Sequence, residues 1–337
     1  MNKKKTLNDY LYLHDNDYTH IEKMFAKNTG VSLLGKNRVL SKYNETMAAS
    51  VIIPSYNSAS RLKLTLESIA EQQFTNKQQK SLIEVVVVDD GSDDNTREVC
   101  RSFKEQLNLR YMYTQNNGAG IARNIGAFAS TGDVLLFLDS DVVLPPHYLS
   151  EHIIRHSITN DCVFVSLKEN VDLSLAHSLP GTHKTPRIKE DFRFHQVIGD
   201  NWLPPVLDDS KVEYRPVEIL KETDYFEEMG GGRIVGIYQL PTMVVSHSMS
   251  VSRSLFKKVG GFSSKFTGWA MEDTFFGACL IAAGAYIVPV LSTGIFHVKH
   301  EPRSGSYTQR QKELNSNIKR YLKLLKQAPP LRKELRE

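Results

Sequence analysis

The spacing of apolar residues changes character along this chain. Ser50-Val51-Ile52-Ile53-Pro54 is a short apolar run closed by a breaker, which predicts a buried strand. Residues 60–73 carry Leu62, Leu66, Ile69 and Ala70 near helical spacing. Ile83-Glu84-Val85-Val86-Val87-Val88 is a β-branched run ending in Asp89-Asp90-Gly91-Ser92. Residues 95–106 read as helix, 110–114 as strand, 120–130 as a small-residue helix, and 134–138 as a strand ending in Asp139-Ser140-Asp141. Strand and helix therefore alternate over about a hundred residues. That alternation predicts an α/β fold with a mainly parallel sheet covered by helices on both faces.

Outside this stretch the pattern weakens. Residues 1–48 form a polar extension in which Tyr10, Leu11, Leu13, Ile21, Met24 and Phe25 predict one or two short amphipathic helices. Periodicity dissolves from about 165 to 245, with Gly230-Gly231-Gly232 marking a flexible or tightly turning point. It returns at Met249-Ser250-Val251-Ser252, in a helix over 273–283 and in a strand over 285–291. A tail over 306–337 holds a helix at 309–326 with Ile318, Tyr321, Leu322 and Leu325 on one face and basic residues opposite. The main domain thus runs over 49–305, with halves at 49–150 and 151–305.

Composition narrows the classes. Of 337 residues, 41% are hydrophobic and 24% charged, as in a folded globular protein rather than a disordered or collagen-like chain. The formal charge of +4 gives no reason to expect nucleic acid as a partner. Cys100, Cys162 and Cys279 lack metal-ligand spacing and read as buried free thiols. No secretory signal is visible, and the longest mostly apolar run, 277–291, is shorter than the about 20 residues a bilayer requires. A cytoplasmic location is expected. The basic tail helix either packs on the domain or rests peripherally on an anionic membrane surface.

Polar residues gather where the predicted strands end: Ser55-Tyr56-Asn57, Asp89-Asp90 and Asp139-Ser140-Asp141. Ligands of open α/β sheets bind outside those ends, so the clusters predict one site. Asp139 and Asp141 would point the same way from an extended segment, a costly pairing unless a hard divalent cation joins them. Asp89 or Asp90 suits a ribose hydroxyl or base N–H, or else caps the next helix. Asn116-Asn117-Gly118-Ala119-Gly120 before Ala122-Arg123-Asn124 has the form of a phosphate cradle at a helix start; Arg123 is alternatively a partner for a nearby carboxylate. Glu272 and Asp273, at a predicted helix N-terminus after Gly268-Trp269, offer a general base, and Trp269 a platform for a sugar face. His297 and His300 follow an apolar run and suit a metal.

Taken in order, Val51-Ile52-Ile53-Pro54-Ser55-Tyr56-Asn57, Val88-Asp89-Asp90-Gly91-Ser92, Asn117-Gly118 with Ala122-Arg123-Asn124, Gly132-Asp133, Asp139-Ser140-Asp141, Gly260-Gly261-Phe262 and Gly268-Trp269 with Glu272-Asp273 resemble a family 2 glycosyltransferase of the GT-A fold. The resemblance runs from about 50 to 300. It implies a nucleotide-sugar donor, often UDP-linked, a divalent metal (Mn²⁺ or Mg²⁺) and inversion at the anomeric carbon. It puts Pro54, Tyr56 and Asn57 on the donor side, with Pro54 and Tyr56 at the nucleobase. Asp89 or Asp90 would meet the uracil or ribose, and Arg123 the diphosphate or uridine. Asp139 would approach the ribose or metal beside Ser140, and Asp141 would ligate the metal. Asp273 would be the catalytic base, Glu272 its neighbour supporting the acceptor, and His297 the last metal ligand, with His300 in reserve. The acceptor would be a hydroxyl-bearing glycan, lipid-linked or small molecule. His247 stands in 247–253 where relatives hold a small-residue motif, and implies a different acceptor contact. Residues 177–245 match nothing in the family, and the Gln-x-x-Arg-Trp motif of the processive polymerases is absent. A sugar nucleotidyltransferase and a non-catalytic nucleotide-sugar-binding module are the competing readings.

Overall fold

The computed structural model describes residues 5–35, 46–191, 193, 240–301 and 306–332. Gly230-Gly231-Gly232 and most of the unmatched segment lie outside the described residues.

Seven strands form the main sheet in the order β3-β2-β1-β4-β8-β6-β9: β1 Ala49–Ser55, β2 Ile83–Asp89, β3 Leu109–Tyr113, β4 Val134–Leu138, β6 Cys162–Val165, β8 Ser248–Ser252 and β9 Tyr286–Pro289. The first four are mutually parallel, and β8 runs antiparallel to β4 and β6. Strands β1, β2 and β4 are buried along their whole length, which their Val, Ile and Leu runs require of a sheet covered on both faces. The helices Ala59–Ala70, Thr96–Ser102 and Ala119–Ala129 supply the crossovers. The second is shorter than the spacing predicts, because turns after Phe103 return the chain to β3. Gly132 precedes β4 where a Cβ would lie 2.6 Å from the Ala49 carbonyl carbon, so only glycine lets the chain enter beside β1.

A second sheet, β5-β10-β7, comprises β5 Val142–Val143, β7 Lys168–Val171 and β10 Ile295–Val298. The sequence pattern gives little sign of these short strands. They nevertheless make the site, because β10 lays His297 opposite Val142, one residue past Asp141.

Both chain ends belong to the domain. The polar extension forms two helices, Leu7–Leu13 and Thr19–Thr29, whose Leu7, Leu11, Ile21 and Phe25 enter the main core, while Leu13 and Met24 stay exposed. Asn16 completes the edge of β9: its side-chain amide donates to the Ile287 carbonyl (3.0 Å) and accepts from the Ile287 N–H (2.8 Å). Buried Arg155 pairs with Glu151 (2.8 Å) and donates to the Leu33 carbonyl, fastening the extension from below. The C-terminal helix Tyr307–Leu325 packs Tyr321, Leu324 and Leu325 into the same core, and the Leu7 N–H donates to the Gln327 carbonyl. All three cysteines are buried free thiols. Among the described residues, no helix is long and apolar enough to cross a membrane.

Candidate active site

The carboxyl ends of β1, β2 and β4 lie side by side, with Ser55 opposite Asp89. Ser58 joins two of them, its hydroxyl 3.0 Å from that of Ser55 and 2.7 Å from that of Ser140. Pro54 is buried, Tyr56 half-buried and Asn57 exposed with φ 45°, its N–H donating to the Ser92 hydroxyl. Asp89 accepts from the Ser92 N–H (2.8 Å) and the Tyr111 hydroxyl (2.6 Å). Asp90 accepts from the amides of Asn117 (2.9 Å) and Gly118 (2.8 Å). Those two N–H groups are the ones a phosphate cradle would use, so the cradle expected there is closed by an internal carboxylate.

Asp139 and Asp141 leave a tight turn rather than an extended segment, and they part company. Asp139 pairs with Arg123 at 2.6 Å, which makes Arg123 the carboxylate partner that the sequence left as an alternative. Asp141 is buried and faces two imidazoles, His300 Nε2 at 2.8 Å and His297 Nε2 at 3.7 Å. Among the described residues, Asp141, His297 and His300 are the group whose ligand atoms lie close enough to share one ion, all within 4.8 Å of one another; Asp139 lies outside it. Pairing of β10 with β5, and the Val298 N–H on the Asp141 carbonyl (2.8 Å), hold this arrangement by backbone.

The donor set fits a divalent cation. A buried carboxylate supplies charge, and two imidazoles supply nitrogen. Burial holds His297 below the ordinary histidine value, which keeps its lone pair free, and its Nδ1 is buried with no hydrogen-bond partner. His300 is raised, chiefly by its hydrogen bond to Asp141. Both histidines, the favoured one and the reserve, therefore meet the same carboxylate.

Arg123 joins Asp139 to Glu272 and Asp273. It is buried, and its guanidinium lies 4.0 Å from Glu272 and 3.9 Å from Asp273 as well as against Asp139. Burial alone would lower it, but the three carboxylates outweigh that and hold it above its ordinary value. Neighbouring Asn124 exchanges two 2.8 Å bonds with the Phe262 backbone, and the Arg123 guanidinium lies 5.6 Å from the Phe262 ring. The two motifs, far apart in sequence, are thus one clamp.

Glu272 and Asp273 open the helix Glu272–Ala282. Burial, then the adjacent Asp273 charge, pushes Glu272 up to about 7. Burial raises Asp273 too, against Arg123 and the Ser246 N–H that donates to its Oδ2 at 3.1 Å. Asp273 Oδ1 has no hydrogen-bond partner. Trp269 is 45% exposed at the rim. His247 is buried with its ring centroid 6.0 Å from that of His297, and burial holds it well below the ordinary value, so it is neutral. It lies beside His297, and the N–H of the preceding Ser246 holds Asp273, so it is buried rather than on the rim with Trp269.

Sequence reasoning missed three residues. Lys168 on β7 is half-buried, and burial, then Arg193, lowers it against the attraction of Asp191, Asp139 and Asp141. Asn317 and Glu313, on the C-terminal helix, hydrogen-bond the loop that carries Trp269. Lys168 lies where periodicity dissolves, and the other two look like ordinary polar positions of a surface helix.

Residues 50–202 match the model described as glycosyl transferase family 2, and residues 242–301 one described as the N-terminal domain of galactosyltransferase. Validoxylamine A glucosyltransferase of Streptomyces hygroscopicus subsp. jinggangensis is 28% identical over 244 residues, 70% of this chain and 51% of its own. The chain spans about half the length of the curated Streptomyces relatives it matches. Among solved structures, Staphylococcus aureus TarS 1–349 in complex with UDP superposes with a TM-score of 0.52 at 19% identity, over 83% of this chain and 64% of that one. The mannosyltransferase PcManGT from Pyrobaculum calidifontis, in complex with GDP-Man and Mn²⁺, gives 0.52 at 18% identity, over 96% and 78%. At such identities these likenesses establish the fold.

Proposed function

The chain belongs to the family 2 glycosyltransferases and has their GT-A fold, and on that premise we propose that it moves a sugar, with inversion, from a UDP-sugar to a hydroxyl of a carbohydrate acceptor. The match to the glycosyl transferase family 2 model and the named glycosyltransferase relatives favour this reading over a nucleotidyltransferase or a non-catalytic module. The observation that carries the proposal is a trio able to hold a cation, Asp141, His297 and His300, close in the chain to Asp139, which shares the buried Arg123 with a carboxylate pair shifted toward neutral pH.

Asp141, His297 and His300 would hold the cation, Mn²⁺ or Mg²⁺. When bound, it would neutralise charge developing on the leaving diphosphate. The remaining chemistry belongs to the chain. Asp273 Oδ1 takes the proton of the acceptor hydroxyl as its oxygen bonds to the anomeric carbon. The bond from that carbon to the diphosphate oxygen breaks on the opposite side, so no covalent sugar–enzyme intermediate forms. The Ser246 amide, on the other carboxylate oxygen, fixes the direction of Asp273. Glu272, at about 7, holds a proton for much of the neutral range and can donate it to an acceptor oxygen. Trp269 stacks under an apolar sugar face. Pro54 and Tyr56 stand at the nucleobase, and Asp89 or Asp90 at the ribose or uracil. UDP follows from the motif resemblance; it is also the ligand of the TarS structure, whereas PcManGT carries GDP-Man.

A membrane contact through the C-terminal helix would have to use its Lys312, Lys319 and Lys323 face, because the apolar face lies in the core. Equal recovery with and without anionic liposomes ends that idea. The donor assignment is tested by thermal shift across nucleotide sugars with and without Mn²⁺. Selective stabilisation by one UDP-sugar, dependent on metal, is the expected result. Stabilisation by GDP-sugars alone, or independence of metal, overturns it.

A further inference from the structure

The loop 267–271 is bent in a way its residues do not favour. Gly268, Ala270 and Met271 all lie in the left-handed region, at φ +74°, 70° and 76°, and two of them carry a Cβ. The loop presents Trp269 and ends where Glu272 and Asp273 begin their helix. A shape so disfavoured locally persists only if surrounding structure imposes it.

The C-terminal helix imposes it. Asn317 is 1% exposed, and its side-chain NH₂ lies 3.0 Å from the Thr267 carbonyl, 3.0 Å from that of Trp269 and 3.1 Å from that of Ala270. Arg320 donates to Asn317 Oδ1 at 2.8 Å, which settles which end of the amide faces the loop. One turn earlier, Glu313 Oε2 accepts the Trp269 N–H at 3.0 Å. Helix and loop touch at Gly268, where a Cβ would lie 2.7 Å from the Glu313 carboxylate. The Arg310 guanidinium stands 5.6 Å from the Trp269 ring centroid. Tyr321, Leu324 and Leu325 already anchor this helix in the core. The polar contacts one and two turns upstream therefore act on the loop more than on the helix.

We propose that Asn317 and Glu313 are positioning residues, which set the loop so that Trp269 receives a carbohydrate acceptor and Asp273 meets its hydroxyl. This rests on the reading of the loop and of Asp273 given above.

The test uses the full chain carrying Trp202→Phe, which leaves Trp269 as its sole tryptophan. Asn317→Ala is expected to raise the acceptor KM at least tenfold with the donor KM within twofold, and to increase acrylamide quenching of Trp269 at least twofold. Glu313→Ala, at a partly exposed helix position, is expected to move both readouts the same way by about threefold; it carries the test if Asn317→Ala does not fold. Unchanged acceptor KM and unchanged quenching overturn the proposal, as does a lowered Tm with the ratio of the two KM values intact. A parent protein that binds UDP-sugar but transfers to no acceptor counts against the Asp273 assignment instead, and the quenching comparison then decides the loop.

Discussion

Carboxylates on the two sides of Arg123 are treated differently. At the end of β2, Asp89 and Asp90 each accept two hydrogen bonds, from Ser92 and Tyr111 and from Asn117 and Gly118. Burial still raises Asp90, but two amide bonds oppose it. At the start of the helix Glu272–Ala282, Asp273 has one amide and Glu272 has Arg123 at 4.0 Å, beyond hydrogen-bond reach. There burial dominates, and Glu272 reaches about 7. A buried carboxylate is thus a fixed strut where two donors meet it, and is left with an unpartnered oxygen, as at Asp273 Oδ1, where only one does.

That contrast can be broken most forcefully at Asp273. Asp273→Asn keeps the shape and the Ser246 contact but not the basicity, so transfer should fall by about 10²–10⁴-fold with UDP binding intact. Retained turnover in a single-turnover assay removes Asp273 as the base. Next comes the cation trio. Asp141→Asn should weaken Mn²⁺-dependent UDP binding on the order of 100-fold, and His297→Ala and His300→Ala each by about 10-fold or more, read by calorimetry at fixed metal. If only one histidine matters, the other serves its neighbour rather than the ion.

A gentler probe is pH. A base must be deprotonated to act, so kcat should rise with pH through the apparent value of the pair, near 7. Glu272→Gln removes the adjacent negative charge and should move that limb to lower pH. An unmoved limb breaks the link between the two carboxylates. In stability the sign is opposite to that of a paired surface carboxylate. Glu272 is raised from 4.5, so its contribution is complete below that value and is lost as pH rises through about 7. The smallest effect on chemistry is expected far from the site. Asn16→Ala strips two hydrogen bonds from the β9 edge and should cost about 1–3 kcal/mol in denaturant unfolding, with kcat unchanged at low temperature.

Residues 49–150 were the more legible in sequence. Strands β1, β2 and β4 are buried along their length, so they read as apolar runs rich in Val, Ile and Leu, and the polar clusters follow those runs directly. The rest of the site depends on β5, β7 and β10, too short to print a period, and on residues from 5–35 and 306–332 that look like surface until they are packed. Leu11 and Phe25 were visible as apolar positions, but Asn16 was not, because a side chain that completes a strand edge leaves no pattern. The expectation that Asp139 and Asp141 point together failed because the segment turns immediately after Leu138.

By itself, then, the sequence determined the α/β alternation, the strand ends as the place of chemistry and the residue types gathered there, since local periodicity and strand polarity follow from covalent order. Tertiary structure decided which groups meet: Asp141 with both His297 and His300, Asp139 with Arg123, and the C-terminal helix with the Trp269 loop. Those pairings rest on short strands and on burial, and burial is a property of the assembled core that no stretch of chain carries alone.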